Sequence, residues 1–116
     1  MSDGEHNKEV FRRYGEEAWG RGNLAVLQDL LTDDFVGHTG LRNRDRQQLA
    51  EDIRAYRERH PDMTFEIVDQ LAAGDRVATR LIARSGERVA TGLNISRFAE
   101  RRLAEEWAVW TDFEPE

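Results

Sequence analysis

His38 is the side chain in this 116-residue sequence whose ordinary proton affinity lies nearest neutral pH in a chemically suggestive setting, and only three histidines are present. It stands in the stretch DDFVGHTG, residues 33–40, after two carboxylates and an apolar pair. Two readings of it stand. The imidazole lines a pocket and moves protons, or it is hydrogen-bonded to backbone at the end of a short strand. The chain has no cysteine, so disulfides, thiolate nucleophiles and thiolate metal sites are excluded. Chemistry must come from carboxylates, histidine, arginine, tyrosine or hydroxyls. No two histidines have the spacing of helical metal ligands, and no metal or other cofactor is expected. His60, beside Pro61, suits a helix C-terminus as a cation, and His6 lies near the start.

Three further side chains invite a double reading. Tyr14 falls on the apolar side of a helical repeat, either packed in the core with its hydroxyl satisfied or touching a substrate. Arg80 interrupts an apolar strand, so it faces solvent, pairs with an acid or meets a ligand; a lone buried guanidinium would be very costly. Trp107 and Trp110 fall on opposite faces if their strand alternates, Trp107 as pocket wall or core and Trp110 at a subunit surface.

The elements that must position these groups follow from periodicity. Val10, Phe11, Tyr14, Ala18 and Trp19 recur at three-to-four spacing and predict a helix from residue 7 to the GRGN sequence. Asn23 is placed to cap a second, shorter helix with Leu24, Leu27, Leu30 and Leu31 as its buried stripe. Asp34–His38 is expected to be extended. Leu49, Ile53 and Tyr56 mark a third helix over residues 45–60, stopped by Pro61.

The period then becomes two, with Met63, Phe65, Ile67 and Leu71 on one face and Thr64, Glu66 and Gln70 on the other. Turns at AAGD (72–75), SGER (85–88) and ERR (100–102) join four successive strands. Helices gathered ahead of an antiparallel meander predict an α+β layer arrangement, a curved sheet under three helical lids that leaves a hollow cone.

Length predicts one domain over residues 1–116. A net charge of −6, with basic and acidic residues interspersed, offers no basic face for nucleic acid. No apolar run approaches membrane-spanning length, and the start MSDGEHNKEV lacks the features of an export signal, so no membrane association is expected and the cytoplasm is the expected compartment.

The order FRRYGEEAWGRGNLAVLQDLLTDDFVGH, HPDMTFEIVDQLAAGDRVATR and TGLNISRFAERRLAEEW resembles the SnoaL-like polyketide cyclases of the NTF2-like superfamily over nearly the whole chain. The resemblance is carried by Phe35-x-x-His38, Pro61-Asp62, Gly74-Asp75-Arg76-Val77 with Arg80, and the Trp107 strand. It implies a cone-shaped α+β barrel with a largely apolar pocket, commonly dimeric through the outer face of the sheet. It also implies cofactor-free cyclase or isomerase chemistry on an apolar cyclic or polyketide-like molecule. In this reading Phe35, Tyr14, Arg80 and Trp107 contact substrate. The family's acid/base aspartate usually lies four residues after the tryptophan. That position is Thr111 here, and Asp112 follows it.

A bulge would turn Asp112 inward. Simple alternation instead puts Leu103, Glu105, Trp107, Val109 and Thr111 on one face and offers Glu105 as the interior carboxylate. His38 with Asp112 or Glu105 is therefore the expected proton-transfer pair. The family's longer loop between the second and third long strands is reduced here to SGER. A non-catalytic ligand-binding or dimerisation module of the same fold is the alternative.

Overall fold

The computed structural model describes residues 3–39 and 42–115. Helix α1, Asp3–Arg13, buries Asn7, Val10 and Phe11, and continues into a π-helical turn over Tyr14–Trp19, in which the Gly20 amide reaches back five residues to the Gly15 carbonyl at 2.9 Å. In an α-helix, side chains five apart diverge by about 140°. The wider turn brings Tyr14 and Trp19 together, and the Trp19 indole donates to the Tyr14 hydroxyl at 2.9 Å.

Helix α2 is only Val26–Leu30, and Asn23 does not cap it: the cap position is Ala25, with no side-chain hydrogen bond. Asn23 lies too far back, its amide bonded to the Glu17 carbonyl at 2.9 Å as the preceding turn unwinds. Leu31, expected on the helical stripe, instead opens strand β1, Leu31–Thr39, which is longer than the predicted extended segment. After β2, Arg42–Arg44, helix α3 spans Arg46–Arg59. Asp45 starts it with a capping box: its carboxylate accepts from the Gln48 amide at 2.8 Å, while the Gln48 side chain accepts from the Asp45 amide at 2.9 Å.

Strands β3 (Thr64–Ala73), β4 (Arg76–Ser85), β5 (Arg88–Ala99) and β6 (Arg102–Trp110) form the predicted antiparallel meander, and β7, Glu114–Pro115, pairs with β5. Sheet order is β2-β1-β6-β5-β4-β3, with β1 parallel to β6. The curved sheet carries the helices on its inner face, as expected for an α+β cone, but it is open, since β2 and β3 are unpaired edges. Phe11, Leu31, Phe35, Leu49, Ile53 and Leu103 are fully buried between the layers, each burial stabilising the fold by about 1.5–3 kcal/mol.

Two bulges reset the alternation. In β6, Phe98 pairs with Leu103 and Arg97 with Glu105, so Ala104 is an extra residue. Leu103 and Ala104 are both buried, and beyond them Glu106, Ala108 and Trp110 turn inward while Glu105, Trp107 and Val109 turn outward. In β3, Val68 is the extra residue between Ile67 and Asp69. Gln70 is therefore half-buried and Leu71 is 75% exposed, the reverse of the expected faces.

Candidate functional site

Between the helices and the inner face of the sheet lies a cavity of about 180 Å³. Its base is built from buried residues, among them Phe11, Tyr14, Met63, Leu81, Asn94 and Glu106. Half-buried side chains form its rim: Trp19, Tyr56, Phe65, Trp110 and Phe113, with Thr39 and Arg44. The wall is mostly apolar and aromatic. Phe65 meets Trp19 and Trp110 edge to face, each with centroids 5.9 Å apart. Gly92 leaves room for Trp110, because a Cβ there would lie 2.6 Å from the indole.

Glu106, 2% exposed, is the ionisable group at the base. Tyr14 donates to its Oε1 at 2.9 Å, and Asn94 Nδ2 donates to its Oε2 at 3.0 Å. Ser96 in turn donates to Asn94 Oδ1 at 2.6 Å, which fixes the amide with its nitrogen toward the carboxylate. Removal from water raises the proton affinity of Glu106, while the Asn94 hydrogen bond, the nearby Arg44 charge and the Tyr14 hydrogen bond oppose that rise without cancelling it. Tyr14 is pushed well above the ordinary phenol value by burial and by the neighbouring Glu106. The arrangement is a buried carboxyl, oriented by two neutral donors and holding a proton more readily than an ordinary glutamate, which suits it to acid/base work.

Of the residues predicted from sequence, the structure brings only Tyr14 to this cavity. His38 does not border it. Its neighbours in β1, Gly37 and Thr39, face inward, and the ring stacks on Trp107 across the outer face, with centroids 5.3 Å apart. There His38 Nε2 meets Glu105 Oε2 at 2.7 Å and Nδ1 meets Asn43 Oδ1 at 2.8 Å. Two acceptors suit a protonated ring that donates from both nitrogens. Its pKa is raised, by the Glu105 hydrogen bond first and the Asn43 bond next, and that of Glu105 is lowered, by His38 first and with help from Arg97.

Glu105 and Trp107 are outward because of the Ala104 bulge, so the expected roles of Trp107 and Trp110 are exchanged. Asp112 is exposed in the segment after β6, and Thr111, also exposed, bonds to Thr91 of β5. Arg80 makes a two-pronged pair with Asp69 at 3.0 and 2.9 Å on the exposed surface, because Thr79 and Leu81 take the inward positions of β4. Phe35 is core, 1% exposed, and does not line the cavity. Asp62 holds the short SGER turn, accepting from the Gly86 amide at 2.9 Å and from Ser85 at 3.2 Å.

Sequence reasoning missed Glu106, Asn94 and Arg44. The alternation of Asn94 and Ser96 with Leu93 and Ile95 in β5 gave no warning, because it reads as an apolar face inside and a polar face outside, the reverse of what the structure shows. Among the described residues no group of three or more His, Asp or Glu side chains gathers as for a metal ion, and no helix is long and apolar enough to cross a membrane.

Fold and site together define a small α+β protein with an aromatic-rimmed pocket ending in a buried carboxyl. Residues 11–106 match the SnoaL-like domain, and the chain belongs to that family. It is similar to IdmH, a candidate polyketide cyclase from Streptomyces antibioticus, at 27% identity over 90% of this chain and 91% of that one, with a TM-score of 0.82. A candidate SnoaL-like polyketide cyclase from Jannaschia sp. CCS1 is 15% identical with a TM-score of 0.84, covering 95% of this chain and 88% of that one. A candidate ketosteroid isomerase from Kribbella flavida DSM 17836 is 19% identical with a TM-score of 0.81, covering 100% and 86%. At those identities the last two speak for the fold alone. No curated protein matches the chain.

Proposed function

We propose that this protein is a cofactor-free enzyme of the cyclase or isomerase type that acts on an apolar cyclic or polyketide-like ketone, with Glu106 as the acid/base group. The observation that carries this reading is the buried Glu106 carboxyl at the base of an apolar cavity, held by Tyr14 and Asn94 and with raised proton affinity. In its ionised form Glu106 removes the proton next to the carbonyl, and the electron pair moves to the oxygen as an enolate. Return of that proton to another carbon isomerises the substrate. If instead the enolate carbon closes on a second carbonyl, Glu106 gives the proton to the new alkoxide. The similarity to IdmH supports this class of chemistry.

The test is solvent deuterium exchange at the α-carbon of a bound cyclic ketone such as 2-tetralone, followed by NMR. Glu106→Gln keeps the shape of the side chain and is expected to slow exchange by about 10²–10⁴-fold. His38→Ala, Glu105→Gln and Asp112→Asn should each change the rate by less than about threefold, because none reaches the cavity. Full exchange in Glu106→Gln, or an equal loss in His38→Ala, would overturn the assignment. Binding without exchange in the wild type would favour a ligand-binding module.

The reading includes a homodimer formed through the outer face of the sheet. Leu93, Ile95 and Val109 are 61%, 47% and 74% exposed there, an apolar set that a second copy would cover. Light scattering should give twice the chain mass for the wild type and the single mass for Leu93→Lys with Val109→Lys. A wild-type monomer at micromolar concentration would reject the dimer.

A further inference from the structure

The rim of the cavity holds a guanidinium to which the acid/base reading gives no contact with substrate. Among the described lining residues Arg44 is the one cation, and its side chain is 12% exposed. Its Nη1 donates to Asp52 Oδ2 at 2.9 Å, but Asp52 also accepts from Arg42 Nη2 at 3.1 Å. One carboxylate thus serves two guanidiniums, and Glu106, which feels the Arg44 charge through space, makes no hydrogen bond to it. Among the described residues Arg44 Nη2 makes a long contact of 3.4 Å to Thr39, and its buried Nε has no hydrogen-bond partner. A half-buried cation whose Nε is cut off from water carries a cost unless something supplies an acceptor. The group also lies beside the Trp19 ring, 5.7 Å from its centroid, so an acceptor placed there would sit among flat aromatic surfaces.

Volume limits what can carry that acceptor. A cavity of about 150 Å³ holds one benzene ring. The space here, about 180 Å³, takes one ring at its base, and because the aromatic rim is open a second fused ring would extend outward between the rim side chains. We infer that the ligand is a planar compound of one or two fused rings bearing one anionic oxygen group, a carboxylate or a conjugated enolate, seated on Arg44 while the ring carbons reach Glu106. The inference rests on the cavity being the substrate site and narrows the substrate class. It also gives Arg44 a task in the proposed reaction, since charge that develops on an enolate oxygen at the rim would meet a fixed guanidinium.

Binding, not turnover, tests this. Titration of 2-naphthoate and of its neutral isostere 2-naphthamide, read by quenching of the rim tryptophans, should show the anion bound at least about tenfold tighter by the wild type. Arg44→Gln should abolish that preference and leave the naphthamide affinity within about threefold. Asp52→Asn keeps Arg44 and removes its competitor, so naphthoate should bind more tightly, whereas a purely structural Arg44–Asp52 pair would make both variants fail alike. Near-ultraviolet circular dichroism confirms that each variant is folded. Equal wild-type affinity for the two probes, preference retained in Arg44→Gln, or weaker naphthoate binding in folded Asp52→Asn would each overturn the Arg44 assignment with the cavity reading intact. Binding of neither probe would overturn both.

Discussion

Glu105 and Glu106 are consecutive residues of β6, and the sheet sends them into different solvents. Glu105, on the outer face, has a side chain 24% exposed and is held by two cations, His38 at 2.7 Å and Arg97 at 3.1 Å. Glu106, on the inner face, is held by a phenol and an amide, with Arg44 acting only through space. Their proton affinities move in opposite directions, down for Glu105 and up for Glu106. Chemical type therefore does not decide which carboxylate can do acid/base work. The paired one is committed to its charge, and the dry one is not.

The opposition extends to stability. Glu105, with its lowered pKa, stabilises the fold above the ordinary glutamate value of 4.5, and that contribution is lost as pH falls through its lower folded value. Glu106, with its raised pKa, is favourable as the neutral acid below 4.5, and the advantage is lost as pH rises through its higher folded value. A site that must ionise inside the cavity costs stability at the pH where it works.

The sharpest way to break the comparison is to put a permanent cation in place of the inner glutamate. Glu106→Lys sets an ammonium near Arg44 in a buried position, with no carboxylate to pair it, and leaves the Asn94 amide without its acceptor. The expected loss is at least about 4 kcal/mol, enough to unfold most of a marginally stable domain, measured by urea denaturation. A Glu106→Lys variant as stable as the wild type would mean that the inner position is as open to water as the outer one.

The unpaired Ala104, which shifts the count of faces along β6 by one, explains what could and could not be read beforehand. The helix-then-meander order was legible because periods of three-to-four and two change cleanly at Pro61, and the turns carry Gly74 and Gly86 at positive φ. The bulges at Val68 and Ala104 have no local signature: valine and alanine fit an ordinary strand, and the extra residue is imposed by the neighbouring strand's register. Counting in twos along β6 therefore selected Glu105 for the pocket, one residue short of the buried carboxyl. The π-helical turn was equally hidden, yet without it Trp19 would point away from Tyr14. What could be read was the presence of a tyrosine, a carboxylate pair and two tryptophans. Which of them meet depended on non-local pairing.

A smaller effect sharpens the inner half of the comparison. Tyr14→Phe removes the donor to Glu106 Oε1 and the acceptor of the Trp19 indole together. Leaving these groups unpaired in a buried place costs about 1–3 kcal/mol. The phenol hydrogen bond helps the ionised carboxylate, so its loss should move the proton affinity of Glu106 further up. The acid limb of the deuterium-exchange profile then shifts to higher pH. An unshifted limb in a folded Tyr14→Phe variant would separate Tyr14 from Glu106 and leave the phenol a packing role.

The smallest effect belongs to the outer half. His38, with its raised pKa, contributes fully below the ordinary histidine value of 6.5 and loses the contribution as pH rises through its folded value. Its partner Glu105 contributes fully above 4.5. The window in which both are at full strength is thus bounded by those two ordinary values. His38→Gln should be destabilised most between pH 4.5 and 6.5 and converge on the wild type on either side. The ring is 27% exposed and water screens the pair, so the difference should stay below about 1 kcal/mol. Glu106→Gln should show no such minimum and should gain on the wild type steadily as pH rises above 4.5, because glutamine avoids the cost of ionising in the cavity. Thermal unfolding of both variants across pH 4–9 compares the faces directly: His38→Gln should pass through a minimum relative to the wild type between 4.5 and 6.5, Glu106→Gln should show none, and a minimum in both or in neither would mean that the two carboxylates do not differ in solvent as their positions in β6 require.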